Sequence, residues 1–241
     1  MRLKAIDVAT LALNAALYAA LGYVFFAVLP LTTPGLGTVR FWPQVVIPAV
    51  FAAIFGPWVG GLGAGIGIFI NDMLIHGNAL LSLTAGVTSN VAMFAIIGYF
   101  SQKRISWRLP AITFGVVTAL IAWLSLRILS PAASGIQIQY LAAGVVIAFY
   151  AFYLVVLLLA PNWRSYSTGC MLGLLVGSAI IGVTVPLVMQ MPLVPTSLIY
   201  FIWTFVTEIP FLLTLGPPII KTVKRALSPS AQKTSEEGDQ K

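Results

Sequence analysis

Arg40, Asp72, His76 and Glu208 stand out because so little else nearby can ionise. Arg40 and Asp72 are separated by 31 uncharged residues, and Glu208 closes an uncharged run of 43 that begins after Arg164. An arginine in this setting can pair with an anionic group, and an aspartate with a donor-bearing one. Trp42 can stack on a planar ring, while Asn71, His76 and Asn78 offer hydrogen bonds at one corner. Asn78, Ser82, Ala85 and Ser89 advance by 4, 3 and 4 residues, which puts a small polar face on one helix. Tyr200, Trp203 and Glu208 can close the same pocket from another helix. A few convergent polar groups in an apolar setting suit reversible binding of a small molecule. Mixed charge and aromatic rings fit a heterocyclic metabolite with polar substituents.

Each residue has a plainer reading. Arg40, Trp42 and Tyr200 can serve as anchors at lipid headgroup level, since Trp, Tyr and Arg concentrate there. His76 can simply be solvated, and Glu208 can be a protonated structural acid bonded to Thr204 or Thr207. Catalysis has little to work with. A hydrolytic site would need a Ser–His pair, paired aspartates or a metal cluster, and there is a single histidine in the chain. We therefore expect no enzymatic activity, no cofactor and no bound metal.

The elements that position these groups are set by the spacing of charge. Thirty-two uncharged residues separate Asp7 from Arg40, and 36 separate Arg127 from Arg164. About 20 apolar residues span a bilayer as a helix. Charged residues make up 8% of the chain against about 25% in soluble proteins, with 59% hydrophobic residues and a mean hydropathy of +0.99. This predicts an all-α, polytopic transmembrane helix bundle, with residues 1–225 in the bundle and 226–241 a disordered cytoplasmic tail. Apolar runs and Pro/Gly punctuation predict helices over about 6–29, 43–55, 58–74, 78–100, 109–129, 138–160, 168–190 and 196–219. The count is eight, or six if the second and third helices fail to span. Met1-Arg2-Leu3-Lys4 leads into an apolar stretch reaching Leu29, longer than a signal-peptide core, so a retained first span is expected.

The net charge of +7 does not point to nucleic acid, because the basic residues sit in short clusters between spans. With the N-terminus in the cytoplasm, Lys103, Arg104, Arg108, Arg164, Lys221, Lys224 and Arg225 fall on the same side as Arg2 and Lys4. The outer side then holds Arg40, Asp72, His76 and Arg127. This excess predicts both termini inside. Cys170 is the only cysteine, so it forms no disulfide within one chain.

Two helices carry small-residue patterns. Ala5, Ala9, Ala12, Ala16 and Ala20 share one face of the first, and Ala15 and Ala19 widen it. Such faces let helices approach closely in lipid, within the chain or with a partner subunit. The third holds Gly60, Gly61, Gly63, Gly65 and Gly67. No Lys-Ser/Thr follows them and no strand precedes them, so phosphate-loop and dinucleotide readings fail. Asn71 and Asp72 lie 11 residues beyond Gly60 and Gly61, on the same two faces, and glycine there is expected to leave a ligand room.

The order of these features resembles a known family. An alanine-striped helix is followed by Val39-Arg40-Phe41-Trp42-Pro43, then by Phe55-Gly56-Pro57-Trp58-Val59-Gly60 and a glycine-rich helix ending in Asn71-Asp72. Over about residues 5–100 this is similar to the substrate-binding S components of energy-coupling factor (ECF) transporters, the prokaryotic vitamin importers. The resemblance implies capture of a vitamin-like molecule at the outer face of a prokaryotic cell membrane. It implies a transmembrane coupling subunit and two ATPase subunits as partners, with toppling of the S component to release its cargo. It assigns Ala12, Ala16 and Ala20 to the docking face for the coupling subunit, and Asp72 to the family's acid at the end of the third helix. The family usually has six helices and a glycine before that acid, where this chain has eight expected helices and Asn71. Two other classes compete: a stand-alone secondary transporter, which would want an acidic relay and often an internal repeat, and a structural membrane adaptor.

Overall fold

The computed structural model describes residues 5–33, 39–129 and 137–228. Within these the regular structure is helical, joined by turns and short connections, with an isolated bridge between Thr32 and Arg40. The helices are α1 (Ala5–Val28), α2 (Pro43–Phe55), α3 (Pro57–Ile75), α4 (Ala79–Ser101), α5 (Arg108–Ile128), α6 (Ile138–Leu159), α7 (Pro161–Val188), α8 (Leu193–Thr214) and α9 (Gly216–Ala226). Seven are long and apolar enough to cross a membrane: α1, α3, α4, α5, α6, α7 and α8. α2 is apolar but shorter than these. The expected eight therefore resolve into seven long helices and a short one, and α3, whose span had been in doubt, is long. The tail predicted over 226–241 lies outside the described residues from 229 onward, and so do Arg2 and Lys4.

α1 and α3 run parallel. Asn14 Nδ2 donates to the Val59 carbonyl at 3.0 Å, and Asn71 Nδ2 donates to the Ala19 carbonyl at 3.0 Å, so the register climbs along both helices together. The intervening chain must return the whole distance, and α2 makes that return. It starts beside α1, where Trp42 Nε1 donates to Tyr18 Oη at 2.8 Å. It ends at Gly56, close to Gln102 at the far end of α4. Gly56 has φ +98°, open to glycine and strained for any other residue, and Pro57 then starts α3 where a missing N–H costs nothing.

The glycine run of α3 differs from expectation. A Cβ at Gly60 would come within 2.2 Å of Ala52, at Gly63 within 2.4 Å of Asn14, and at Gly67 within 2.8 Å of the Ala15 carbonyl. These faces are seams where α1 and α2 press against α3; they hold neighbouring helices and leave no room for a ligand. The alanine stripe divides as well. Ala5, Ala9, Ala12, Ala16 and Ala20 are exposed, whereas Ala15 and Ala19 turn inward with Asn14, Tyr18 and Gly22. Ala15 and Ala19 thus do not widen the outer face, and among the described residues that outer face is left uncovered.

The last helix was expected to run unbroken over 196–219. It breaks at Leu215–Gly216, where Pro217 and Pro218 cannot continue the hydrogen-bond ladder of α8. α9 is amphipathic, with Ile220 buried and Lys221, Lys224 and Arg225 exposed. It lies at the Gly56 end of the bundle. There Lys103, Arg104, Arg164 and Lys224 surround a wide recess of about 990 Å³, its open mouth included.

Candidate functional site

The opposite end of the bundle carries the candidate site. Two backbone hydrogen bonds, Thr33 N–H to the Val39 carbonyl at 2.7 Å and Phe41 N–H to the Leu31 carbonyl at 2.8 Å, fold the α1–α2 connection back on itself. That closure aims Arg40 inward. Its Nη2 meets Asp72 Oδ1 at 2.6 Å, and its Nη1 reaches Asn71 Oδ1 at 3.4 Å. The guanidinium lies over the Trp42 ring, 4.6 Å from the centroid, and 5.7 Å from the Phe26 centroid. Arginine is suited to this place because its planar fork can serve a carboxylate and stack on an aromatic face at once. Burial lowers the Arg40 pKa from its ordinary value, and Asp72 pushes it back up.

Asp72 is held from three other directions. Ser82 Oγ donates to Oδ2 at 2.8 Å, and His76 Nε2 is 3.4 Å from Oδ1. Gly86 packs so near that a Cβ there would lie 2.7 Å from Oδ2. The Asp72 carbonyl caps the end of α3, accepting from the His76 and Gly77 amides. His76 Nδ1 accepts from the Asn78 amide at 3.1 Å, and Asn78 Oδ1 accepts from the Leu81 amide at 3.0 Å, starting α4. These are charge-assisted or capping bonds that define one corner of the molecule.

A second chain of bonds runs inward: Trp42 Nε1 to Tyr18 Oη at 2.8 Å, Tyr18 Oη to Asn90 Oδ1 at 2.7 Å, and Asn90 Nδ2 to the Gly86 carbonyl at 2.8 Å. Together these groups wall a cleft of about 560 Å³, its open mouth included. α7 closes it with Ile181 and Val185, and α8 contributes Glu208. Glu208 is 5% exposed, and its Oε2 has no hydrogen-bond partner among the described residues.

The structure brings together Arg40, Trp42, Asn71, Asp72, His76, Ser82 and Glu208, all named from sequence. Arg40 and Asp72 face each other, and Arg40 occupies one face of the Trp42 ring that had been expected to stack on a ligand. Asn78 is a helix cap beside the cleft and does not line it. Tyr200 is fully buried one layer behind, packed with Leu81, Ala85 and Val185. Trp203 is elsewhere: it lines an apolar recess with Ile138, Leu141 and Ile202. Five residues from Glu208 on a regular helix is a rotation of about 140°, so the two side chains cannot serve one pocket. Neither Thr204 nor Thr207 bonds Glu208; Thr207 Oγ1 turns to the Trp203 carbonyl, and Thr204 Oγ1 has no partner.

Sequence reasoning missed Tyr18, Asn90 and Gly86. The reason for the last two is a π turn at Ser82–Val87. The extra residue in such a turn rotates everything after it, so the polar face runs through Ser82, Gly86 and Asn90; Ala85 still lines the cleft and Ser89 does not. Ser89 Oγ instead bonds the Gly86 carbonyl of its own helix. Tyr18 had a signal, as the one polar aromatic amid the small residues on the inner face of α1.

No family model matches the chain, and neither a curated protein nor a solved structure does.

Proposed function

We propose that this protein is the substrate-capture subunit of a membrane importer, taking a vitamin-like small molecule into the Arg40–Asp72–Glu208 cleft and relying on separate coupling and ATPase subunits for energy. The observation that carries the reading is the cleft. It opens at one end of an apolar bundle, is ringed by polar groups, and retains one buried carboxyl oxygen without a partner among the described residues. The resemblance of residues 5–100 to ECF S components supports it, as does the exposed Ala12–Ala16–Ala20 face, which gives a partner helix a place to approach closely.

In this reading α2 counts as a crossing, giving eight, and both termini lie in the cytoplasm of a prokaryotic cell. The basic recess formed by Lys103, Arg104, Arg164 and Lys224 then sits on the cytoplasmic side, as the positive-inside rule expects. A cysteine placed at Ser101 should react with a membrane-impermeant reagent from the cytoplasmic side alone; labelling from outside would reverse the orientation.

The protein should retain its cargo through purification in mild detergent, and mass spectrometry of the released small molecules should find one enriched species. Its loss on replacing Ala85, in the cleft wall, by Leu places it in the cleft. Replacing Ala12 and Ala16 by Trp should abolish uptake by cells while leaving that retained species in place. If retention fell as far as uptake, the face would belong to the bundle's own packing. One observation favours a second reading, secondary transport: Glu208 is a deeply buried acid of the kind proton-coupled carriers use. Uptake in cells lacking every coupling and ATPase subunit would select it.

A further inference from the structure

The cleft has an uneven account of hydrogen bonds, and the imbalance describes its ligand. Arg40 and Asp72 neutralise each other at 2.6 Å. Trp42 and Asn90 are both engaged, each through Tyr18. His76 is tied to Asp72 and to the Asn78 amide. Among the described residues, every polar side chain lining the cleft thus has a partner, except Glu208. Glu208 as a residue is 5% exposed, and it lines a space walled by Ile68, Leu81, Ala85, Ile181 and Val185. A buried carboxylate is costly unless it is paired and hydrogen-bonded. Nothing on its own helix supplies the pairing, since Thr204 and Thr207 do not reach it. Once Arg40 and Asp72 cancel, Glu208 is the remaining cleft-lining group that can carry a negative charge.

We propose that the cleft takes a compact molecule bearing a cationic nitrogen, an amine or an amidinium, whose N–H groups bond the Glu208 carboxylate while its apolar or planar body lies against the aliphatic wall. This rests on the capture reading and adds the sign of the cargo's charge. Arg40 is not the recognition group, because its fork is already filled by Asp72 and Asn71 and its face by Trp42. An anionic cargo would have to break that arrangement and sit beside Glu208 uncompensated. A planar amidinium matches a carboxylate through two parallel hydrogen bonds.

The test uses the full chain in phosphatidylcholine nanodiscs and three probes of nearly equal size: benzamidine, benzamide and benzoate. Calorimetric titration should rank benzamidine at least about tenfold tighter than either of the others. Glu208→Gln should weaken benzamidine by about 10- to 150-fold, the range for losing a hydrogen bond to a charged group, and should leave benzamide unchanged. Ala85→Leu should block binding by filling the wall, and His76→Trp, at the exposed rim, should do the same if the first variant fails to fold. Benzamide or benzoate binding as tightly as benzamidine overturns the proposal. So does undiminished benzamidine binding by Glu208→Gln, or the absence of cleft-dependent benzamidine binding at millimolar concentration. The capture reading is judged separately by the cargo retained through purification. An anionic molecule held there and lost in Ala85→Leu would leave capture standing and remove the cation.

Discussion

Asp72 and Glu208 are two acids lining one cleft under opposite conditions. Asp72, near the mouth, meets Arg40, His76 and Ser82, and Gly86 leaves its second oxygen just enough space. Glu208, on the opposite wall, is as deeply buried and has an oxygen with no partner among the described residues. A carboxylate fully supplied by its own fold holds structure: here it ties the α1–α2 connection to α3 and α4. A carboxyl left unsupplied is, in the proposal above, the group that a ligand engages. Two acids that look equivalent in a list of site residues thus have different work, and stability and affinity should separate them.

Three substitutions sharpen or break that contrast, in descending order of effect on the ligand-free protein. Asp72→Ala strips the Arg40 guanidinium of its counter-charge in a mostly buried position and frees Ser82. A loss of about 2–4 kcal/mol is expected, read as a marked fall in the unfolding midpoint in detergent. An unchanged midpoint would mean that the Arg40–Asp72 pair does not hold the connection. Gly86→Ala comes next. Its Cβ would stand 2.7 Å from Asp72 Oδ2, so the carboxylate must move off Ser82 or Arg40, at roughly 1–3 kcal/mol for overpacking. If Gly86→Ala in the Asp72→Ala background costs as much as it does alone, the clash is not with the carboxylate. Glu208→Gln should be the mildest. Removing an ionisable group that has no partner is often neutral or stabilising, so the midpoint should equal or exceed that of the parent. A fall of several degrees would mean that Glu208 has a structural partner after all, and the contrast would collapse.

Much of this site could be read along the chain. Long uncharged runs isolate Arg40, Asp72 and Glu208, and the bilayer's demand for about 20 apolar residues turns those runs into helices. Residue spacing placed Asp72 at the end of α3 and Ser82 opposite it, and those residues meet. The outward alanine face of α1 was legible for the same reason, as a periodicity of one helix. Other features were not, because they depend on how helices lie against one another. Whether the glycines of α3 receive a ligand or a neighbouring helix is decided by Asn14, Ala15 and Ala52, residues that precede them in sequence and meet them only in the bundle.

The sequence by itself determined the class of the molecule, the placement of its helices and the scarcity of its charges, because hydropathy and helical period are local quantities. Tertiary structure decided the rest. It set α1 parallel to α3, so that short α2 must run the length between them. Through one extra residue in the π turn at Ser82–Val87 it rotated Asn90 into the cleft and Ser89 out of it. It brought Glu208 to within the same cleft as Asp72, across 136 residues of sequence, and turned Trp203 to another face. These outcomes depend on angles about helix axes and on which helices are neighbours. A shift of one residue in the turn rotates a helix face by about 100°, and the local pattern around Ser82 carries no mark of it.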